Sequence, residues 1–148
     1  MKLAEALEMP TINRTDVLCH YSDWWWTFNN RKERESPCLV AAQVISPCHN
    51  GSWHIPTLEP QESYAPPQQN NNEACSCSWV AYNLLSACTA CQVGRLLFWR
   101  EYKRYCSPAF LTSRTYYPVA VSLPKKVAIP FWATQDRTPL FQLYQFLL

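Results

Sequence analysis

Cys75-Ser76-Cys77-Ser78-Trp79-Val80-Ala81-Tyr82-Asn83-Leu84-Leu85-Ser86-Ala87-Cys88-Thr89-Ala90-Cys91-Gln92-Val93-Gly94, continuing through Trp99 to Cys106, holds five of the eight cysteines and the densest run of aromatic residues. Ser78 is a capping hydroxyl, and Ala81, Leu84, Leu85, Cys88 and Cys91 recur at the three-and-four spacing of one buried helical face. Gly94 offers the stop. Cys75 and Cys77 lie just upstream in extended chain, and the four sulfurs of this stretch are expected to converge on one helix end.

A second helix is expected from Ser36-Pro37, a capping residue followed by proline at the first helical position, with Cys38, Ala41, Ala42 and Ile45 facing inward and Pro47 as terminator. Alanines on both facing surfaces permit close approach, so the two helices can be tied by cysteine. His49 to Ser52 is a turn, and Trp53 to Pro56 a short extended piece. Residues 59–73, rich in Pro, Gln and Asn, form a surface linker. Beyond Cys106, Tyr116 to Leu123 and Val127 to Ala133 alternate as strands do, with Pro118, Pro124 and Pro130 restricting them to a small sheet's edges or an extended wrap. The expected fold class is a small disulfide-rich α+β domain, two cysteine-bearing helices packed together with short strands and long loops. Residues 1–18 are a lead-in, 19–137 the cysteine-rich domain and 138–148 a tail.

With 148 residues, seven Trp, twelve Pro and only two Gly, the chain is one domain built on rings. A net charge of +2 gives no field strong enough to imply nucleic acid or an anionic membrane as an obligatory partner, and the basic, aromatic stretch from Arg95 to Arg104 is taken as the solvated face of a short helix. Eight cysteines, Cys19, Cys38, Cys48, Cys75, Cys77, Cys88, Cys91 and Cys106, suit four bridges in an oxidised extracellular domain. The sequons at Asn13 and Asn50 agree with that compartment. Glu5 and Glu8 interrupt any signal peptide at the N-terminus, and no stretch reaches transmembrane length.

Catalytic chemistry is not expected. Two glycines exclude a phosphate-cradling loop, no carboxylate pair stands out, and His20 and His49 adjoin Cys19 and Cys48 without facing them. Cys88-x-x-Cys91 sits near a helix end, where the dipole does not activate a thiol. Cys75, Cys77, Cys88 and Cys91 could supply four thiolates to zinc, though Cys-x-Cys is short for a zinc knuckle. Trp24-Trp25-Trp26 is assigned mainly to packing, with carbohydrate retained as a partner. No cofactor is expected in the preferred reading.

The ordered string Ser36-Pro37-Cys38-Leu39-Val40-Ala41-Ala42, Cys48, Tyr64-Ala65-Pro66, Cys75-x-Cys77, Tyr82-Asn83-Leu84-Leu85-Ser86-Ala87-Cys88-x-x-Cys91-Gln92, Trp99, Cys106 and Ile129-Pro130-Phe131-Trp132-Ala133 resembles the cysteine-rich extracellular domain of a basidiomycete fungal protein family. The resemblance covers about residues 19 to 137. It implies a non-catalytic secreted or cell-surface ectodomain that binds or supports, placed in the family between a signal peptide and a single transmembrane helix. Neither is found in this sequence, which leaves two expectations: a truncated or mis-started reading frame of a secreted protein, or a cytosolic chain whose cysteines are reduced or metal-bound. A weaker likeness of Cys75-x-Cys77, Cys88, Cys91 and Cys106 to the fungal CFEM domains implies haem binding as the alternative.

Geometry limits the bridges. Cys38 and Cys48 are separated by roughly 15 Å across a helix rising 1.5 Å per residue, beyond the ~7 Å Cα limit of a disulfide. Cys88 and Cys91 are close enough, but as neighbours on one face of a helical turn their Cβ vectors are poorly placed to bridge, and Cys75 with Cys77 would close a strained small ring. Each of these six is expected to bond elsewhere, stapling the 75–106 region within itself and to the Cys19 to Cys48 half.

Overall fold

The computed structural model describes residues 13–19, 35–69, 73–111 and 115–135. Trp24 to Trp26, His20, most of the charged run from Arg31 and the 138–148 tail lie outside the described residues.

Ser36 caps α1 (Pro37–Ile45), its Oγ accepting the Leu39 N–H at 3.1 Å, with proline at the first helical position. The helix passes into a 3₁₀ turn at Ser46–His49 that contains Pro47, and Asn50 closes it in the left-handed region at φ 56°. Ser78 caps α2 (Trp79–Cys91) in the same way, accepting the Ala81 N–H at 3.1 Å. Cys38, Ala41, Ala42, Ala81, Leu84 and Cys88 are all fully buried. Small side chains let the helix backbones meet, and the Cys38 and Cys88 Cα atoms stand 4.7 Å apart.

The sequence pattern suggested one buried face for α2. The structure buries far more, including Val80, Tyr82, Asn83, Thr89 and Ala90 outside the expected stripe. The helix is central because chain covers its other sides as well. β1 (Asn13–Thr15) pairs in parallel with β2 (Trp53–Ile55), matching Asn13 to Trp53 and Thr15 to Ile55. The Thr15 hydroxyl donates to the Ile55 carbonyl at 2.9 Å and accepts from the Val17 N–H, and Val17 is buried. The framework therefore includes chain before Cys19, within the stretch assigned as a lead-in.

After α2, the short α3 (Trp99–Tyr102) leads into a 3₁₀ turn at Lys103–Tyr105, and α4 spans Pro108–Leu111. Tyr82, Trp99 and Tyr102 form a ring cluster, with Tyr82 5.1 Å from each of the other two centroids. Tyr102 is buried and its hydroxyl donates to the Ser76 carbonyl at 2.6 Å, so two of the rings in the basic segment serve packing.

No strand forms among the described residues of 115–135, which corrects the expected sheet. Three prolines six residues apart explain it. The carbonyls of Pro118, Pro124 and Pro130 accept from the N–H groups of Val121, Val127 and Ala133 at 3.0 to 3.1 Å, so each proline starts a turn. The last turn is a 3₁₀ helix at Phe131–Thr134. Between turns the alternation survives as burial: Val121, Leu123, Val127 and Ile129 pack on the core while Ser122 and Ala128 face out. Extended chain with one apolar edge reads like a strand, but here it wraps the helices without a ladder partner.

Candidate functional site

The cysteines pair as Cys19–Cys91, Cys38–Cys88, Cys48–Cys75 and Cys77–Cys106, and none is free. Three bridges are nested, closing separations of 72, 50 and 27 residues around the same pair of helices. The fourth staples the 75–106 region to itself. No local pair bonds.

The expected convergence of four sulfurs on one helix end is not what the structure has. Cys75 and Cys77 precede the N-terminus of α2 while Cys88 and Cys91 occupy its last turns, so the two pairs sit at opposite ends of the helix, about 14 to 18 Å of helical rise apart at 1.5 Å per residue. Each of the four sulfurs enters a different bridge, leaving none of them as a thiolate for zinc. Cys19, Cys38 and Cys91 do bring sulfurs within 4.8 Å of one another, but this cluster is two adjoining disulfides, with Cys38 Sγ 3.8 Å from Cys91 Sγ.

A cleft of about 310 Å³ opens beside the helix pair, between β2, residues 64–68 and the corner formed by Glu73, Ser76 and Tyr102. Each wall has a sequence reason. Pro66 and Pro67 stiffen the linker, Leu85 comes from the half-buried side of α2, and Trp53 is fixed by stacking on His49 at 4.1 Å. Partial burial of His49 holds its pKa below the usual imidazole value. His54, on the next residue of β2, reaches Asp16 Oδ2 at 3.2 Å.

The linker is more than surface chain. Gln92, 6 % exposed just past the end of α2, donates to the Tyr64 hydroxyl at 2.9 Å and to the Cys88 carbonyl at 3.1 Å, and its Oε1 accepts from Leu58 N–H at 2.8 Å. Tyr64 in turn donates to the Pro56 carbonyl at 2.7 Å. Burial raises the Tyr64 pKa, so the phenol stays a donor across the physiological range.

Glu73 closes the linker and is the residue that pattern reading missed. Its carbonyl accepts from Cys77 N–H at 2.8 Å, opening the turn before α2, and its Oε1 accepts from Ser107 N–H at 3.1 Å. The side chain is only 3 % exposed, and its Oε2 has no hydrogen-bond partner. A glutamate in a run of Gln and Asn carries no burial signal. Its position two residues before Cys75, whose bridge to Cys48 pulls the chain inward, was the available clue.

Asn50 is exposed in its turn, and Asn13 lies in β1. Comparison with models of protein families, with characterised proteins and with solved structures finds no match.

Proposed function

We propose that this chain is a non-catalytic, disulfide-stabilised domain of a secreted or cell-surface protein, acting by binding. The observation that carries the reading is the pairing of all eight cysteines, six of them buried, into four bridges. Such a set persists in oxidising compartments and is rare where thiols are kept reduced. The exposed Asn50-Gly51-Ser52 turn is a sterically open glycan acceptor, and the cleft beside β2 gives binding a place. Among the described residues no nucleophile stands with its base in that cleft: His49 rests on Trp53 and His54 faces Asp16.

Expression through a eukaryotic secretory route tests the reading. The expected product is a monodisperse protein with no reactive thiol, glycosylated at Asn50 and yielding the four bridges on non-reducing peptide mapping. Free thiols in the native protein would overturn it, as would bound zinc or turnover of a substrate lost on a point substitution. A Soret band from added haem, with Kd in the micromolar range or below, would move the assignment to haem binding.

A further inference from the structure

We infer that the cleft between β2, residues 64–68 and Glu73 binds a small ring-bearing primary amine, whose ammonium is received by the Glu73 carboxylate. The inference rests on the binding reading above and names its ligand class.

The volume, about 310 Å³, is at the lower end of the range for small-molecule sites and suits one ring with a short arm. Trp53, Pro66, Leu85 and Tyr102 give it rigid apolar walls, which favour a ring over a flexible chain. Its two phenolic hydroxyls are already committed, since Tyr64 donates to the Pro56 carbonyl and Tyr102 to the Ser76 carbonyl. The carboxylate is not. Glu73 is buried, one oxygen is satisfied by Ser107 N–H, and the other has no partner. A buried carboxylate oxygen without a donor is costly, and it specifies a ligand that donates.

Charge selects among donors. Among the described residues no Lys or Arg lines the cleft, His49 is held toward its neutral form by burial, and His54 Nε2 is turned to Asp16. An anion therefore meets a carboxylate and no cation. An ammonium forms a charge-assisted hydrogen bond with Glu73 and finds aromatic faces nearby, whereas an alcohol of the same shape makes only the weaker neutral bond.

The test uses the oxidised full chain with 2-phenylethylamine, 2-phenylethanol and phenylacetate as probes, followed by NMR titration. The amine is expected to bind at least tenfold more tightly than the alcohol, with phenylacetate weaker than both, and to shift the Glu73 carboxyl carbon resonance. Glu73→Gln keeps an oxygen for Ser107 N–H and is expected to abolish the preference for the amine. If that variant does not fold, the carboxyl resonance of the unaltered chain decides. Equal affinity for amine and alcohol, a Glu73 resonance unmoved by the amine, or an undiminished preference in Glu73→Gln would each overturn the inference. So would no amine binding at all, the result expected if Glu73 holds only a structural water. None of these outcomes bears on the bridges or compartment, so the binding site can fail while the secreted-domain reading stands.

Discussion

Seven of the eight cysteines lie within residues 37–55 and 75–106, whereas residues 56–69 and 115–135, which cover those helices, contain none. The two regions are held by different chemistry. The helix pair has nested bridges around a core of small buried side chains. Its coat has no bridge and is attached by apolar packing and by hydrogen bonds: Tyr117 to the Val44 carbonyl at 2.7 Å, Val80 N–H to the Tyr116 carbonyl at 3.2 Å, and Asn83 to two carbonyls of the last turn. Covalent closure limits the unfolded chain, while the hydrogen bonds act only in the folded state, so the regions should respond separately to perturbation.

The largest effect should come from the middle bridge. Replacing Cys38 and Cys88 together by alanine opens a 50-residue separation inside the helix pair, at a cost of about 4 kcal/mol on the chain-entropy account. That is much of the stability of a domain this size. Denaturant unfolding followed by circular dichroism should show the helical signal lost far earlier, with coat and core melting together. An unchanged midpoint would mean that packing alone holds the helices.

Asn83→Asp should separate the regions instead. Asn83 is 1 % exposed, and its amide nitrogen donates to the carbonyls of Ala133 and Gln135, each at 2.9 Å. An aspartate keeps the shape but turns acceptors toward acceptors, a change worth about 3 kcal/mol. Amide exchange should accelerate across 129–135 while the protection of α1 persists. Equal acceleration in both would show that coat and core form one cooperative unit.

The same division separates what could be read in the sequence from what could not. Both helices were legible, because their caps and periodicity are local, and helical rise excluded a Cys38–Cys48 bridge without knowledge of the fold, though not which cysteines pair. The coat was not. Val121, Leu123, Val127 and Ile129 alternate as a strand would, and only the absence of a neighbouring ladder distinguishes a wrap from a sheet. The proline spacing was the usable sign, weighed only as a limit on strand position. Glu73 and Gln92 are buried through contacts 34 residues away, to Ser107 and Leu58, which no local pattern encodes.

Where the linker meets the core, one glycine controls the fit. Gly94 N–H bonds the Thr89 carbonyl at 2.9 Å, while Arg95 N–H bonds the Glu62 carbonyl at 2.8 Å. A Cβ on Gly94 would lie 2.7 Å from Thr89 Cγ2 and 2.8 Å from the Glu62 carbonyl oxygen. The second neighbour is backbone and cannot rotate away, so Gly94→Ala should cost about 2 kcal/mol, within the range for overpacking. Proteolysis in the 59–64 segment should rise accordingly. No rise would mean that the linker yields at little cost.

Alkali probes the other end of the coat more gently. Tyr117 is 8 % exposed, and its burial pushes the phenol pKa up to about 12. Only the neutral form is favoured in the fold, so its contribution is present below pH 10, the unfolded value, and lost as pH rises toward 12. Tyr117→Phe removes a hydrogen bond worth about 1 kcal/mol and should flatten the fall in stability across that window. An unchanged alkaline slope would place its origin at the more deeply buried Tyr102, whose pKa is also raised.

The smallest effect should have the opposite sign. The sequence pointed to Gly94 as the helix stop, but the left-handed residue at the end of α2 is Val93, at φ 63°. Val93 N–H bonds the Ala90 carbonyl while Gly94 N–H reaches Thr89, the paired bonds of a Schellman ending whose left-handed position is usually glycine. A β-branched side chain there costs about 1 to 2 kcal/mol in backbone strain. Glycine is needed one residue later for the linker to approach, so the chain places valine where conformation alone would favour glycine. Val93 is 48 % exposed and loses little burial when truncated. Val93→Gly therefore relieves strain at a cost of about 0.5 to 1 kcal/mol in unfolded-chain entropy, a net gain of about half a kcal/mol. Thermal unfolding should shift upward by a degree or more, and a decrease would show that the valine side chain contributes packing that outweighs its conformation.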